Sequence, residues 1–196
     1  NIENIEFHAV DFTNPNSIDN FFQKKDFKFE NIDALVNSAG ISSKTKIQNM
    51  TEEEWEKIFR VNVTCSFKMI KESIKYMKIT RFPTIVNISS IAGRLRSISL
   101  SCAYSSSKAA LLGMTRHMAM ELSNHGIRVN CLAPGQTLTP MLTEALSIKN
   151  QEELAKSLPL KRLANPEEQA KIIYFLSSSE SSYINGAIID SNGGAL

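Results

Sequence analysis

Tyr104 and Lys108 stand four residues apart in Tyr104-Ser105-Ser106-Ser107-Lys108, a spacing that on a helix places both side chains on one face, one turn apart. A phenol titrates near 10 and is a poor acid or base at neutral pH. An adjacent ammonium favours the phenolate and brings the group toward proton-transfer chemistry. Taken alone, the pair reads better as a surface tyrosine beside a solvated lysine. Two further groups change its weight. Ser89-Ser90 closes a β-branched run at 84–88, and a serine hydroxyl at a strand end can donate to a substrate oxygen while a tyrosine delivers a proton. Asn62, in Val61-Asn62-Val63, is a polar side chain in an otherwise apolar helical stretch, and by itself reads as a buried amide with its hydrogen bonds satisfied.

Such side chains act together only if the backbone gathers them. Residues 5–10 read as a short strand ending at Asp11, followed by a helix over 17–25. A strand over 32–37 closes at Ser38-Ala39-Gly40. Thr51, with Glu54 three residues on, has the form of a capping box and opens a long helix to residue 77. A strand over 84–88 precedes a second long helix over 103–124, which Gly126 stops. A strand over 127–132 closes at Pro134-Gly135, Pro166 starts a helix over 167–176, and a last strand spans 187–190. Strands and helices alternating at this interval mean an α/β fold: a doubly wound parallel sheet covered on both faces. Ligands of such sheets sit beyond the carboxyl ends of the strands. Weight therefore falls on Asp11, the turn 37–40, Ser89, Ser90, and the segment 134–139.

The chain has 196 residues, which is one domain's worth, and no linker or repeat divides residues 1–196. Twenty-two Lys plus Arg against 20 Asp plus Glu leave +2, too even a balance for a nucleic-acid footprint. No apolar run approaches the length of a membrane span. Cys65, Cys102 and Cys131 are odd in number and form no C-x-x-C pair, and His8, His117 and His125 share no metal-ligand spacing. Reduced thiols, a cytoplasmic setting and no metal site are expected. The sequence begins at Asn1 rather than Met, which leaves an organelle open as well.

Asp11, Asn37-Ser38-Ala39-Gly40, Asn62, Ile85-Val86-Asn87-Ile88-Ser89-Ser90 and Tyr104 with Lys108 follow one another in order. Arg128-Val129-Asn130, Pro134-Gly135 with Thr139, and Asn192-Gly193-Gly194 complete the set. Over essentially the whole chain this series resembles the short-chain dehydrogenase/reductases, in the branch of 3-oxoacyl carrier-protein reductases, sugar and polyol dehydrogenases and hydroxysteroid dehydrogenases. The resemblance implies a Rossmann-like fold and an NAD(P)-dependent enzyme interconverting a secondary alcohol and a ketone. It implies Tyr104 as general acid/base, Lys108 as the group that lowers its pKa and holds the nicotinamide ribose, Ser90 as the polariser of the carbonyl, and Asn62 as holder of a proton-relay water. Asp11 would accept from the adenine amine, with Phe12 also among the cofactor-binding residues. Asn37, Ser38, Ala39 and Gly40 would lie against the adenosine ribose. Pro134, Gly135, Thr137 and Thr139 would meet the nicotinamide end. Hydride chemistry belongs to the cofactor, while the protein supplies proton transfer and placement.

The sequence also departs from the family. Its first glycine is Gly40, and the eight glycines contain no phosphate-binding spacing. The fold is thus expected to be N-terminally incomplete here, short of its first strand and Gly-rich loop, about 50 residues. The segment that would choose between NAD and NADP is absent with them, so both cofactors stand. Ser90 to Tyr104 is one residue longer than the commonest family spacing, which leaves Ser89 or Ser90 to face the substrate. Asn192 stands where the family usually has Asp. Leu138, Met141, Leu142, Leu146, Leu154 and Leu158 could line an apolar pocket or simply pack helices, and Arg94 and Arg96 could meet an anionic substrate or remain solvated. Surplus apolar residues on the two long helices, among them Met114, Met118 and Met120, fit either core packing or the homodimer or homotetramer that the resemblance implies. A non-catalytic reductase-like scaffold or oligomer subunit is the alternative to an enzyme, and a small-molecule binding module is a third reading.

Overall fold

A computed structural model describes residues 5–23, 31–77, 82–97, 99–144 and 146–196. Four strands, β1 (Ala34–Asn37), β2 (Thr84–Ile88), β3 (Arg128–Pro134) and β4 (Ile188–Ser191), form a parallel sheet in the order β1-β2-β3-β4. Helices cover both faces. On one face α3 (Cys65–Met77) and α5 (Cys102–Leu122) pack Ile70, Met77, Ala119 and Leu122 against Ile85 and Val129. Side chains alternate along a strand, so Thr84 and Arg128 point to the other face. There Thr84 Oγ1 and the Arg128 guanidinium both donate to the Leu176 carbonyl near the end of α8 (Pro166–Ser177). Arg128 also donates to the carbonyls of Ser178, Ser181 and Ile184, so a buried cation is satisfied by helix-end carbonyls rather than by a carboxylate.

Several sequence expectations take their observed form. Residues 84–88 are a strand throughout. Thr51 caps α2 (Glu52–Phe59) by accepting from the Glu54 amide at 3.2 Å. Pro166 opens α8, and the amide of its cap residue Asn165 donates to Glu168 Oε2 at 2.9 Å. The helix expected over 51–77 runs without a break from Glu52 to Met77, with a π-helical turn, Arg60–Thr64, between α2 and α3. One expectation is corrected. Residues 5–10 are not a strand: Ile5 and Phe7 are exposed, and no strand among the described residues pairs with the segment. A strand is stabilised by the ladder it shares with a neighbour, and among the described residues β1 pairs only with β2. The helix expected over 17–25 is α1 (Ser17–Phe22), and residues 24 and 25 lie outside the described residues. The segment after β3 contains α6 (Pro140–Thr143) and α7 (Ile148–Ser157). Met114 and Met118 pack on the core, while Met120 is exposed.

Candidate active site

The carboxyl ends of β1, β2 and β3 open into a cavity of about 1420 Å³. Ser38 and Gly40 line one side, Ser89, Ser90, Tyr104 and Lys108 the middle, and Pro134, Gly135, Thr137 and Thr139 the other. Groups more than 60 residues apart in sequence thus share one space, as the switch from strand to loop in an open parallel sheet requires.

Ser90 caps the short helix α4 (Ile91–Arg94), its hydroxyl oxygen accepting from the Ala92 amide at 3.1 Å. The same hydroxyl faces the Tyr104 phenol across the cavity wall and pulls its pKa downward. Ser89 turns the other way and donates to the Lys108 carbonyl at 2.7 Å, so Ser89 braces the start of α5 while Ser90 faces the phenol. Gly93 allows this arrangement: a Cβ there would lie 2.6 Å from the Lys108 backbone carbon and 2.7 Å from its oxygen. Only a glycine lets α4 approach α5 so closely.

Tyr104 and Lys108 are both buried in the first turns of α5, which starts at the Ser101 cap. Burial raises the Tyr104 phenol above its ordinary value, against the opposing pull of the Ser90 hydroxyl. Burial lowers the Lys108 ammonium from 10.5 to about 8. Lys108 Nζ donates to the Ile88 carbonyl at 2.8 Å and lies 5.9 Å from the Tyr104 ring centroid. Desolvation, rather than the lysine charge, therefore sets the direction of the phenol in this arrangement. A protonated phenol with a hydroxyl partner is equipped to deliver a proton to a developing alkoxide.

Asn62 sits in the π-helical turn, a distortion found often at functional sites. Its Oδ1 accepts from the Ile41 amide (2.8 Å), and its Nδ2 donates to the Ile41 carbonyl (3.0 Å) and to Ser107 Oγ (2.9 Å). Asn62 and Lys108 both approach Gly40: a Cβ there would lie 3.3 Å from Lys108 Nζ and 3.4 Å from Asn62 Oδ1. Asn37 turns inward; its Nδ2 donates to Asn87 Oδ1 (2.9 Å), and Asn87 Nδ2 donates to Thr115 Oγ1 of α5 (3.0 Å). The register that pairs Asn37 with Asn87 makes this bond possible. Asp11 is exposed; its carboxylate accepts from Thr13 N and Thr13 Oγ1, which lowers its pKa. The Phe12 carbonyl accepts from the Cys65 thiol. Ala39, Asp11 and Phe12 do not line the cavity.

Met141, Leu142, Leu146, Leu154 and Leu158 form an apolar wall, but Leu138 does not join them. Arg96 lines the cavity, whereas Arg94 lies outside it and makes a two-bond pair with Asp190 (3.0 and 2.8 Å). Of the two arginines, then, only Arg96 is placed to meet an anion in the cavity. Asn192 Oδ1 accepts from Gly194 N and Ala195 N, a local turn at the chain end. Asn87 and Ser89, both within the motif 85–90, also hold the site, as do Gly93, Ser107 and Thr115. The types of these last three gave no signal in the sequence, since small buried residues in strands and helices ordinarily mark packing. Among the described residues there is no cluster of metal-ligating side chains and no helix long and apolar enough to cross a membrane.

Comparison with known proteins agrees with this fold. A family model described as enoyl-(acyl carrier protein) reductase matches residues 2–195. The 3-oxoacyl-[acyl-carrier-protein] reductase of Thermotoga maritima is 38% identical over 192 residues, covering 98% of this chain and 77% of that protein. Its counterpart from Vibrio cholerae is 35% identical over 186 residues, 95% of this chain and 75% of the relative. A Brucella melitensis 3-oxoacyl-[acyl-carrier protein] reductase solved with bound NAD superposes with a TM-score of 0.82 at 35% identity, over 95% of this chain and 69% of that one. A 4-hydroxyisoleucine dehydrogenase complexed with NADH superposes at 0.87 and 32% identity, over 94% of this chain and 76% of that one. Another Brucella melitensis 3-oxoacyl-[acyl-carrier protein] reductase structure is matched over 62% of its own length, with a TM-score of 0.78 at 38% identity over 83% of this chain.

The chain belongs to the short-chain dehydrogenase/reductases, NAD(P)-dependent oxidoreductases with a Rossmann-like sheet. Within them it falls in the branch resembling 3-oxoacyl carrier-protein reductase.

Proposed function

We propose that this protein interconverts a ketone and a secondary alcohol with NAD(P), using Tyr104 as the proton donor and acceptor. The observation that carries the reading is that the buried Tyr104 phenol, Lys108 one turn away and the Ser90 hydroxyl all line one cavity. The residues fit a nicotinamide dinucleotide: the missing Cβ of Gly40 leaves open the space beside Lys108 Nζ and Asn62 Oδ1, and Ser38, Pro134, Gly135, Thr137 and Thr139 line the same cavity. When bound, the cofactor supplies or accepts the hydride.

In this reading the Ala92 amide fixes the Ser90 oxygen, and the Ser90 proton turns from the phenol to the substrate carbonyl when substrate binds. Tyr104 gives its proton to the carbonyl oxygen in reduction and takes it back in oxidation. Lys108 holds the ribose hydroxyls and refills the Tyr104 proton, and Asn62 keeps the turn at Gly40 and Ile41 in place and holds a relay water. Asp11, Phe12, Asn37 and Ala39 belong to the adenosine end of the site. The apolar wall from Met141 to Leu158 favours an acyl-type substrate such as the 3-oxoacyl group of the relatives. Phe67 on α3 and Met120 on α5 remain exposed, which supports pairing of these helices in a homodimer or homotetramer. The three free thiols are in keeping with a cytoplasmic enzyme. Tyr104→Phe removes one hydroxyl and should cut turnover at least about a hundredfold while leaving the affinity for NADH or NADPH, measured by titration, unchanged. A Phe variant with full turnover would falsify the proposal.

A further inference from the structure

Ser107 is fully buried in α5, one residue before Lys108, and its hydroxyl is engaged on both sides. It accepts from Asn62 Nδ2 at 2.9 Å and donates to the Tyr104 carbonyl at 2.7 Å. Asn62 grips Ile41 through its amide and its carbonyl at once. A backbone N–H must face the carboxamide oxygen and a backbone C=O must face its NH2 group, so the Asn62 side chain has one permitted orientation. A carboxamide has two N–H donors. One goes to Ile41, and Ser107 Oγ takes the other. The single Ser107 proton is then committed to Tyr104. The result is a chain of one direction, Asn62 N–H to Ser107 O–H to Tyr104 C=O, with no exposed member among its side chains.

This chain spans two parts of the site that the sheet alone does not tie together. At one end is the Gly40–Ile41 backbone, on the cofactor side; at the other is the backbone of the acid/base residue. We propose that Ser107 is a positioning residue, which locks the Asn62 carboxamide and thereby holds the Gly40–Ile41 backbone in register with Tyr104 and Lys108. The inference rests on the catalytic reading given above. Alanine at 107 would leave one buried Asn62 N–H without an acceptor and free the carboxamide to turn. A displacement of about 1 Å between reacting groups costs turnover up to about a hundredfold.

The test uses the full chain with Ser107→Ala and Ser107→Thr. Ser107→Ala should lower kcat about tenfold or more, with KM for the carbonyl substrate unchanged, and Ser107→Thr, which keeps the hydroxyl, should restore most of it. A second readout needs no turnover: amide hydrogen exchange at Ile41 should quicken about tenfold in Ser107→Ala, while exchange in the distal half of α5 stays as in the parent. Unchanged Ile41 exchange in a folded Ser107→Ala protein overturns the proposal, as does a kcat loss that threonine does not rescue. If alanine prevents folding, Ser107→Cys is read in the same two assays. Tyr104→Phe run alongside separates the failures. An inactive Tyr104→Phe with a fully active Ser107→Ala removes only the role of Ser107, whereas an active Tyr104→Phe removes the catalytic reading itself.

Discussion

Lys108→Met should make the folded protein more stable at pH 7 while abolishing turnover. The buried ammonium is lowered from 10.5 to about 8, and that displacement corresponds to about 3 kcal/mol of unfavourable free energy for folding with the proton on. Methionine has a similar reach and no charge to desolvate. The substitution also removes the donor to the Ile88 carbonyl, which costs about 1–2 kcal/mol. A net gain of about 1–2 kcal/mol therefore remains at pH 7. The sign with pH follows from the lowered value. Between about 8 and 10.5 the unfolded chain holds the Lys108 proton and the folded chain does not, so parent stability rises with pH across that window. Below about 8 both states are protonated and the full penalty stands. Urea unfolding of parent and variant at pH 7 and again near pH 10.5 measures the gap. It should favour methionine at pH 7 and close, or reverse, at the higher pH. A methionine variant that is less stable at pH 7, or a gap that ignores pH, refutes the reasoning that desolvation dominates at this lysine.

Gly93→Ala forces a methyl group into the Lys108 backbone and should cost about 1–3 kcal/mol in chemical denaturation, with reduced turnover because α4 carries Ser90; parent-like stability and turnover would show that α4 can shift freely. Arg94→Ala should leave substrate KM within about twofold and cost at most about 1 kcal/mol, because its guanidinium is spent on Asp190 outside the cavity. A large rise in KM in steady-state assays would place Arg94 at the substrate instead. The Glu168 carboxyl, held down to about 2 by Arg162 and the Asn165 amide, contributes stability above its ordinary value of 4.5, and this is lost as pH falls toward 2. Glu168→Gln should thus lower the unfolding midpoint at pH 6 but not at pH 2, and an equal loss at both pH values would rule out the linkage.

Much of this fold was legible because local chemistry and global architecture agree. Thr84–Ile88 is mostly β-branched, buried and inside the sheet, so propensity and burial point one way. The helix carrying Tyr104 and Lys108 is long enough for its pattern to outweigh three serines in its first turns. Residues 5–10 have the composition of a strand, yet a strand depends on a partner that its own residues do not specify. The π-helical turn at Asn62 was illegible for a similar reason: α2 and α3 read as one helix, and the distortion belongs to bonds that Asn62 makes with Ile41 and Ser107, 21 and 45 residues away.

By itself the sequence determined the α/β alternation, the Tyr104–Lys108 spacing and the presence of Ser89-Ser90, since each depends on neighbours within a turn or a strand. Only the tertiary structure decided which serine braces α5 and which caps α4, because that choice depends on the Ser89 hydroxyl finding the Lys108 carbonyl 19 residues on. It likewise committed Arg94 to Asp190, 96 residues away, and lowered Lys108 by burying it. Charges and hydrogen-bond partners are set by distance in space, and that distance is fixed only when the sheet closes its helices over them.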